Sequence, residues 1–462
     1  MPTVSENPQP ALFTGRDRLF LGTVSAVGFI LGLVGIYHYG YNAQDFITHK
    51  TEILTFPDTV TYKINYSLGL AWFGHLLESH VTATHFLEAI AFAFLVFNTA
   101  ALWIVYAFVW QALRRRPLRY AAAAFVTFVP FRVTTALVLA SDGFTLPLFA
   151  IVALCVLRLC ARPNRAWTWL LLGLALLAGT LCKYSLAGLV PPAAILVFLA
   201  ILRRLPPKGR LVWVAAAIMA LAPPAILVEF EMRQVLQNNG SVEGAIWNPK
   251  FAPPPMRWRD LLLFQASDSK LFAAPDYFRG ELFWPRAYSY PALLHVACFS
   301  DLLGNFQTPR VTTDWKHRSQ VYVYRWRSPL SQVLQEISVA SGLIFSALAV
   351  VGLAVCGVMS VLALATDKPR IPLAVTVLTL LALGYYVPQF YSLHYLARPY
   401  SLGYWLPRLI IPSLVVFFIL GFVLLDLAAG RLERSRRNSG PLLIGFAGYT
   451  LACCAIYCGF LF

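Results

Sequence analysis

The chain has little charge for its size: Asp, Glu, Lys and Arg make up 13% of its 462 residues, against roughly a quarter in soluble domains. It carries no GxGxxG and no phosphate-cradling glycine loop ending in Lys and Ser or Thr, so nothing supports a soluble nucleotide-sugar or ATP site. It has no internal repeat and no low-complexity tract. Its eight cysteines build no disulfide framework: seven lie in or at the ends of apolar stretches, with Cys298 alone in a predicted loop. They read as small hydrophobes, and Cys453, Cys454 and Cys458 have no second ligand pair to complete a metal site. The first apolar stretch is too long for a removed signal peptide and lacks a small-residue cleavage site, so it is expected to stay as an anchor.

What is present is hydrocarbon: 58% of the residues are hydrophobic. Crossing a bilayer takes roughly 20 residues, fewer where a helix is buried in protein. About eleven stretches meet that test: Leu19 to Tyr37, Leu87 to Leu113, Tyr120 to Ala140, Gly143 to Leu157, Trp167 to Leu181, Leu186 to Leu202, Leu211 to Val228, Ile337 to Ala365, Ile371 to Val387, Leu406 to Leu427 and Leu442 to Phe462. The expected fold is an all-α polytopic membrane protein. It divides into an N-terminal cytoplasmic segment (1–18), a transmembrane module (19–229) with an outer loop (40–86), a large outer loop (230–335) and a C-terminal transmembrane module (336–462).

The net charge of +16 would suggest nucleic acid in a soluble protein, but its distribution gives another cause. Alternate connections hold about 19 basic and about five acidic residues, the asymmetry of the positive-inside rule, which puts the N-terminus in the cytoplasm. No nucleic-acid partner is needed. All eight histidines and most carboxylates fall on the other side, and chemistry is expected there. A stretch from Tyr62 to Leu77 has the pattern of a helix lying in the interface. The large loop is rich in Pro, Trp, Tyr and Arg. The Arg- and Ala-rich composition suggests a bacterial inner membrane, with the active site on the periplasmic face; an endoplasmic reticulum protein would show the same sidedness.

The residue that carries most information is Asp45, just past the end of the first span. In Asp45-Phe46-Ile47-Thr48-His49, a helical backbone would put Asp45 and His49 on one face, one turn apart. They suit a base with its orienting partner, or two of the three or four ligands of a divalent metal; helix capping and a solvated histidine are the bland alternatives. Ser141-Asp142-Gly143 is either a plain turn or a second acid pinned at the lip. Lys183 ends a span on the outer side, where an isolated ammonium needs an anion such as a lipid phosphate, or else snorkels to the interface. Arg408 lies between Pro407 and Pro412 at the start of a span, and its guanidinium fork suits phosphate. Arg132, within the third span after Pro130, must face protein, water or lipid phosphate. Arg398 and Tyr395 lie in the loop before Arg408, while Arg286, His295 and Asp301 sit among the aromatics of the large loop, where a sugar or acceptor could rest. The loop's own core or a membrane belt explains most of those aromatics as well.

Taken in order, the first helix, the acid with a histidine four places on, the interfacial stretch, Ser141-Asp142-Gly143, Lys183-Tyr184-Ser185 and Trp405-Leu406-Pro407-Arg408-Leu409-Ile410-Ile411-Pro412 resemble the GT-C superfamily of integral-membrane glycosyltransferases. The likeness is to the branch containing protein O-mannosyltransferases and the lipid A aminoarabinose transferase. At position 46 Phe stands where many members carry a second acid. The resemblance implies inverting transfer of a sugar from a polyprenyl-phosphate donor to a hydroxyl of a lipid, glycan or protein. Asp45 would be the base, with Asp142 and His49 beside it. Lys183, Arg408, Arg398 and Arg132 would hold the donor phosphate, and Tyr184, Tyr395, Arg286 and Asp301 the substrate. A polysaccharide polymerase or ligase using a diphosphate-linked donor, and a lipid or glycan transporter or flippase, share this topology. A carrier tends to place acids deep within spans, whereas here they gather at the outer rim.

Overall fold

A computed structural model describes residues 12–36, 67–81, 85–135, 141–239, 259, 263, 289–300, 308–314, 319–325, 329–366, 371–395, 410–435 and 438–461. All eleven predicted apolar stretches contain helix, as an all-α polytopic membrane protein requires. Among the described residues nine helical segments have the length and apolarity to cross a bilayer.

The helices, in order, are α1 (Gly15–Val34), α2 (Leu68–Glu78), α3 (Phe86–Ala112), α4 (Arg116–Phe128), α5 (Pro130–Thr135), α6 (Thr145–Ala161), α7 (Ala166–Cys182), α8 (Val190–Arg204), α9 (Pro207–Asn239), α10 (Tyr290–Phe299), α11 (Pro329–Ala365), α12 (Leu373–Tyr395), α13 (Ile411–Arg434) and α14 (Gly440–Leu461). An antiparallel hairpin, β1 (Thr308–Asp314) with β2 (Ser319–Arg325), precedes α11.

The count falls from eleven to nine for two local reasons. The predicted third span, Tyr120 to Ala140, is not one helix. Residues before proline are disfavoured in the helical region, and Val129 accordingly turns extended (φ −56°, ψ 131°), ending α4 before Pro130 starts the six-residue α5. The fifth, α7, is apolar throughout but only 17 residues long.

The loop from 230 to 335 also differs from expectation. Helix α9 continues to Asn239 and α11 begins at Pro329, so the described spans reach into it from both ends. Within it α10, capped by Ser289, is buried against α11 and α5. Cys298, expected in a loop, is therefore a buried helical thiol. His295 is taken up by internal bonds, 2.8 Å from the Ser346 hydroxyl and 3.0 Å from the Val339 carbonyl. Phe299 joins Phe125, Phe345, Phe418 and Tyr457 in one aromatic core. Gly342 makes room for it, since a Cβ there would overlap the Phe299 ring.

Helix α13 is the central post, buried along most of its length and packed on α11 and α12. The α11–α13 crossing depends on Gly352 and Gly421, each facing the other helix's backbone too closely for a side chain, the close approach that small residues permit between membrane helices. Outward faces remain apolar: Leu211, Met219, Val350 and Ile444 are each at least 66% exposed, which suits lipid rather than water.

Polar contacts sort the helix ends into two groups. At one end Tyr120 donates to Asp17 (2.8 Å), Arg115 binds Asp426 (2.9 Å) and Glu433 (2.6 Å), Arg204 reaches the Ala161 carbonyl (3.4 Å) and Arg203 the Leu364 carbonyl. These are the basic connections read from the sequence, gathered on one face of the bundle. At the other end lie Ser67, Asp142, Lys183 and Tyr184.

Candidate active site

The non-basic end is built around the point where α7 stops. Its last residue, Cys182, passes to Lys183 in extended conformation (φ −153°, ψ 115°), and a 3-10 turn, Tyr184–Leu189, leads into α8. Ser67, the N-cap of α2, accepts the Leu70 amide at 3.2 Å and donates its hydroxyl to the Cys182 carbonyl at 2.5 Å. One serine thus starts the interfacial helix and pins it beside Lys183. Gly69 is required by the same contact, because a Cβ would strike Cys182.

Asp142 lies in the 3-10 turn Ser141–Phe144. Asn98 of α3 holds that turn by donating to the Gly143 carbonyl (2.9 Å), and Thr145 donates to the carbonyl of Asp142 (2.8 Å). Gly143 sits against the Phe94 ring with no space for a side chain. Phe144 is enclosed edge-on by Phe94 (4.8 Å) and by Phe73 of α2 (5.4 Å), so α2 forms a roof over the turn. Inside this arrangement the carboxylate of Asp142 is ion-paired with the ammonium of Lys183, their side chains 4% and 14% exposed.

Two buried opposite charges attract strongly, yet each has given up hydration, so such a pair is weak evidence for stability alone. Lys183 keeps a partial opening to the outside. A group carrying more negative charge than one carboxylate, such as a phosphate, can compete there for the ammonium.

The other predicted positions divide three ways. Tyr184 adjoins Lys183, but its hydroxyl donates to the Val228 carbonyl (3.2 Å), a bond that anchors the turn to α9. Ser185 likewise donates to the Tyr385 hydroxyl (3.2 Å). Arg132 is buried in α5, where its Nε donates to the Thr127 carbonyl at 2.6 Å, one of the last carbonyls of α4, which lack intrahelical donors. Thr127 also meets the Tyr106 hydroxyl (2.6 Å), which accepts from Ser25 (3.3 Å). The described contacts of Arg132 are therefore with this helix break and not with the Asp142–Lys183 pair. Asp45, His49, Arg286, Asp301, Arg398 and Arg408 lie outside the described residues, as does the side chain of Tyr395. Among the described residues no group of three or more His, Cys, Asp or Glu is placed to hold a metal.

Three residues at this end were not singled out by the sequence as site residues. Ser67 was legible as an N-cap, but its bond to Cys182 was not. Asn98 reads as a polar interruption of an apolar span and becomes the support of the Asp142 turn. Glu88, in the first turn of α3, has its Oε2 buried without a hydrogen-bond partner among the described residues. It stands six residues before Phe94, about 9 Å further out at 1.5 Å per residue. A buried carboxylate oxygen without a donor is costly, so this one is suited to accept from a bound hydroxyl.

Residues 70–227, about a third of the chain, match the family model of dolichyl-phosphate-mannose-protein mannosyltransferase. The matched segment includes most of α2, all of α3, and both Asp142 and Lys183. The match supports the GT-C superfamily and, in general terms, glycosyltransferase activity of the mannosyltransferase type; such activity takes a lipid-linked sugar donor and an acceptor. A search of the curated proteins found no match.

Proposed function

We propose that the protein transfers a sugar, with inversion, from a polyprenyl-phosphate donor to an acceptor hydroxyl, at the end of the bundle that carries Asp142 and Lys183. The observation that carries this reading is the buried Asp142–Lys183 ion pair under α2, inside the segment that matches the family. The basic residues at the opposite end support an extracytoplasmic position for the site.

In this reading the acceptor oxygen attacks the anomeric carbon from the face opposite the phosphate, and the bond from that carbon to the phosphate oxygen breaks. The hydroxyl proton passes to Asp45, and the polyprenyl phosphate leaves with the electron pair. Charge grows on the departing phosphate, where a pre-placed cation contributes most. Lys183 supplies it, with Arg408 and Arg398 as further donors, and Asp142 positions the ammonium until the phosphate arrives. Tyr184, Tyr395, Arg286 and Asp301 belong to the substrate surroundings. If a divalent metal takes part, Asp45 and His49 would hold it.

Asp45→Asn tests the base. In purified full-length protein given a radiolabelled polyprenyl-phosphate sugar, transfer is expected to fall by about 100-fold or more, with the melting temperature unchanged. Retained turnover would remove the assignment. A diphosphate-linked donor that outcompetes the monophosphate would instead favour a polymerase or ligase.

A further inference from the structure

The basic end holds a cavity of about 720 Å³ between α3, α6 and the start of α12. Trp103, Ile104 and Leu154 form an apolar stretch of its lining, and Gln111 and Arg158 add polar groups nearer the basic helix ends. Gln111 is eight residues beyond Trp103 on the same helix, so the lining extends about 12 Å along α3. A groove with polar groups at the basic end and apolar side chains along the rest suits an amphiphile.

The charge at that end narrows the choice. Three arginines of this end are held by the protein itself: Arg115 by Asp426 and Glu433, Arg119 by the Leu113 carbonyl (2.8 Å) and Arg203 by the Leu364 carbonyl. Arg158 is exposed, lines the groove, and has neither a hydrogen bond nor an ion pair from its side chain among the described residues. Basic pockets between membrane helices on the positive side favour anionic lipid head groups. We infer that this groove binds an anionic phospholipid, with the phosphate on Arg158 and an acyl chain along Trp103, Ile104 and Leu154. It is separate from the Asp142–Lys183 site, at the other end of the bundle.

Native mass spectrometry of the purified full chain, titrated with phosphatidylglycerol or with phosphatidylcholine of the same acyl chains, tests it. Phosphatidylglycerol is expected to be retained in preference, and Arg158→Gln to weaken its retention about fivefold while leaving phosphatidylcholine unchanged. Ala107→Trp, which fills the groove, should remove the preference while leaving the lipid-free melting temperature alone. Because Arg158 is exposed, its variant decides the matter even if Ala107→Trp does not fold. Equal retention of both lipids, or an Arg158→Gln protein that binds phosphatidylglycerol as the wild type does, would overturn the proposal. So would displacement of phosphatidylglycerol by polyprenyl phosphate at equal concentration, which would assign the groove to the donor.

Discussion

At the basic end, Arg115 is shared by two carboxylates, Asp426 at 2.9 Å and Glu433 at 2.6 Å, and Asp426 also accepts the Arg114 amide at 3.1 Å. The hydrogen bond to Glu433, followed by that to Asp426, raises the pKa of Arg115 further above its already high value. At the other end, Lys183 is ion-paired with Asp142 in a more enclosed position. The first arrangement ties the start of α4 to the end of α13 and satisfies a guanidinium at several points. The second sets an ammonium, with three donors, against a carboxylate more deeply buried than either of those two. Clamping helices asks for redundancy near the surface, whereas a candidate site asks for charge held away from water, where electrostatic interactions are stronger. That contrast distinguishes a structural charge cluster from a candidate site when both are built from the same residue types.

The largest effect should come from breaking the enclosed pair on one side only. Asp142→Ala removes the counter-ion described for Lys183 from an enclosed position and is expected to cost about 3–5 kcal/mol, seen as a large drop in melting temperature in detergent. A protein that melts like wild type would show that Lys183 reaches water freely.

Replacing both partners sharpens the comparison. Asp142→Leu with Lys183→Met removes both charges, and such exchanges are often neutral for stability. Transfer activity is nonetheless expected to fall by about 100-fold, the scale of losing one donor to a developing oxyanion. Full activity in a stable double variant would reduce the pair to architecture.

At the basic end the same operation should do less. Asp426→Ala leaves Arg115 bound to Glu433 and is expected to cost about 1.5–3 kcal/mol, with the transfer rate per folded molecule unchanged. Glu433→Gln should do least, because that carboxylate is exposed. A small fall in melting temperature should appear at low salt and vanish near 1 M. A loss of transfer in either variant would erase the distinction between the two ends.

Several elements were legible before any coordinates. Hydropathy located a helix in each of the eleven apolar stretches, and the alternation of arginines separated the end holding Asp17, Arg115, Arg203 and Arg204 from the end holding Asp142 and Lys183. The break before Pro130 is hidden from hydropathy by the long apolar run from Tyr120 to Ala140. Helix α10 lies inside the predicted outer loop, and its ten residues are too few to span a bilayer, so hydropathy does not mark it. Its burial comes from neighbours distant in sequence, Val339, Gly342 and Ser346. Asp142 and Lys183 were each read as groups at the same lip, one acidic and one cationic, without being joined.

The sequence alone determined that this chain belongs in a membrane and which helix ends share a charge. Both follow from transfer free energies that act residue by residue and survive any rearrangement of the helices. Tertiary packing decided which of those charges meet. The pairing of Lys183 with Asp142 needs Ser67 to bring α2 against Cys182, Asn98 to hold the turn at Gly143, and Phe73 to close over Phe144. An ion pair depends on distance in space, and distance between separate helices is set only when their side chains interlock.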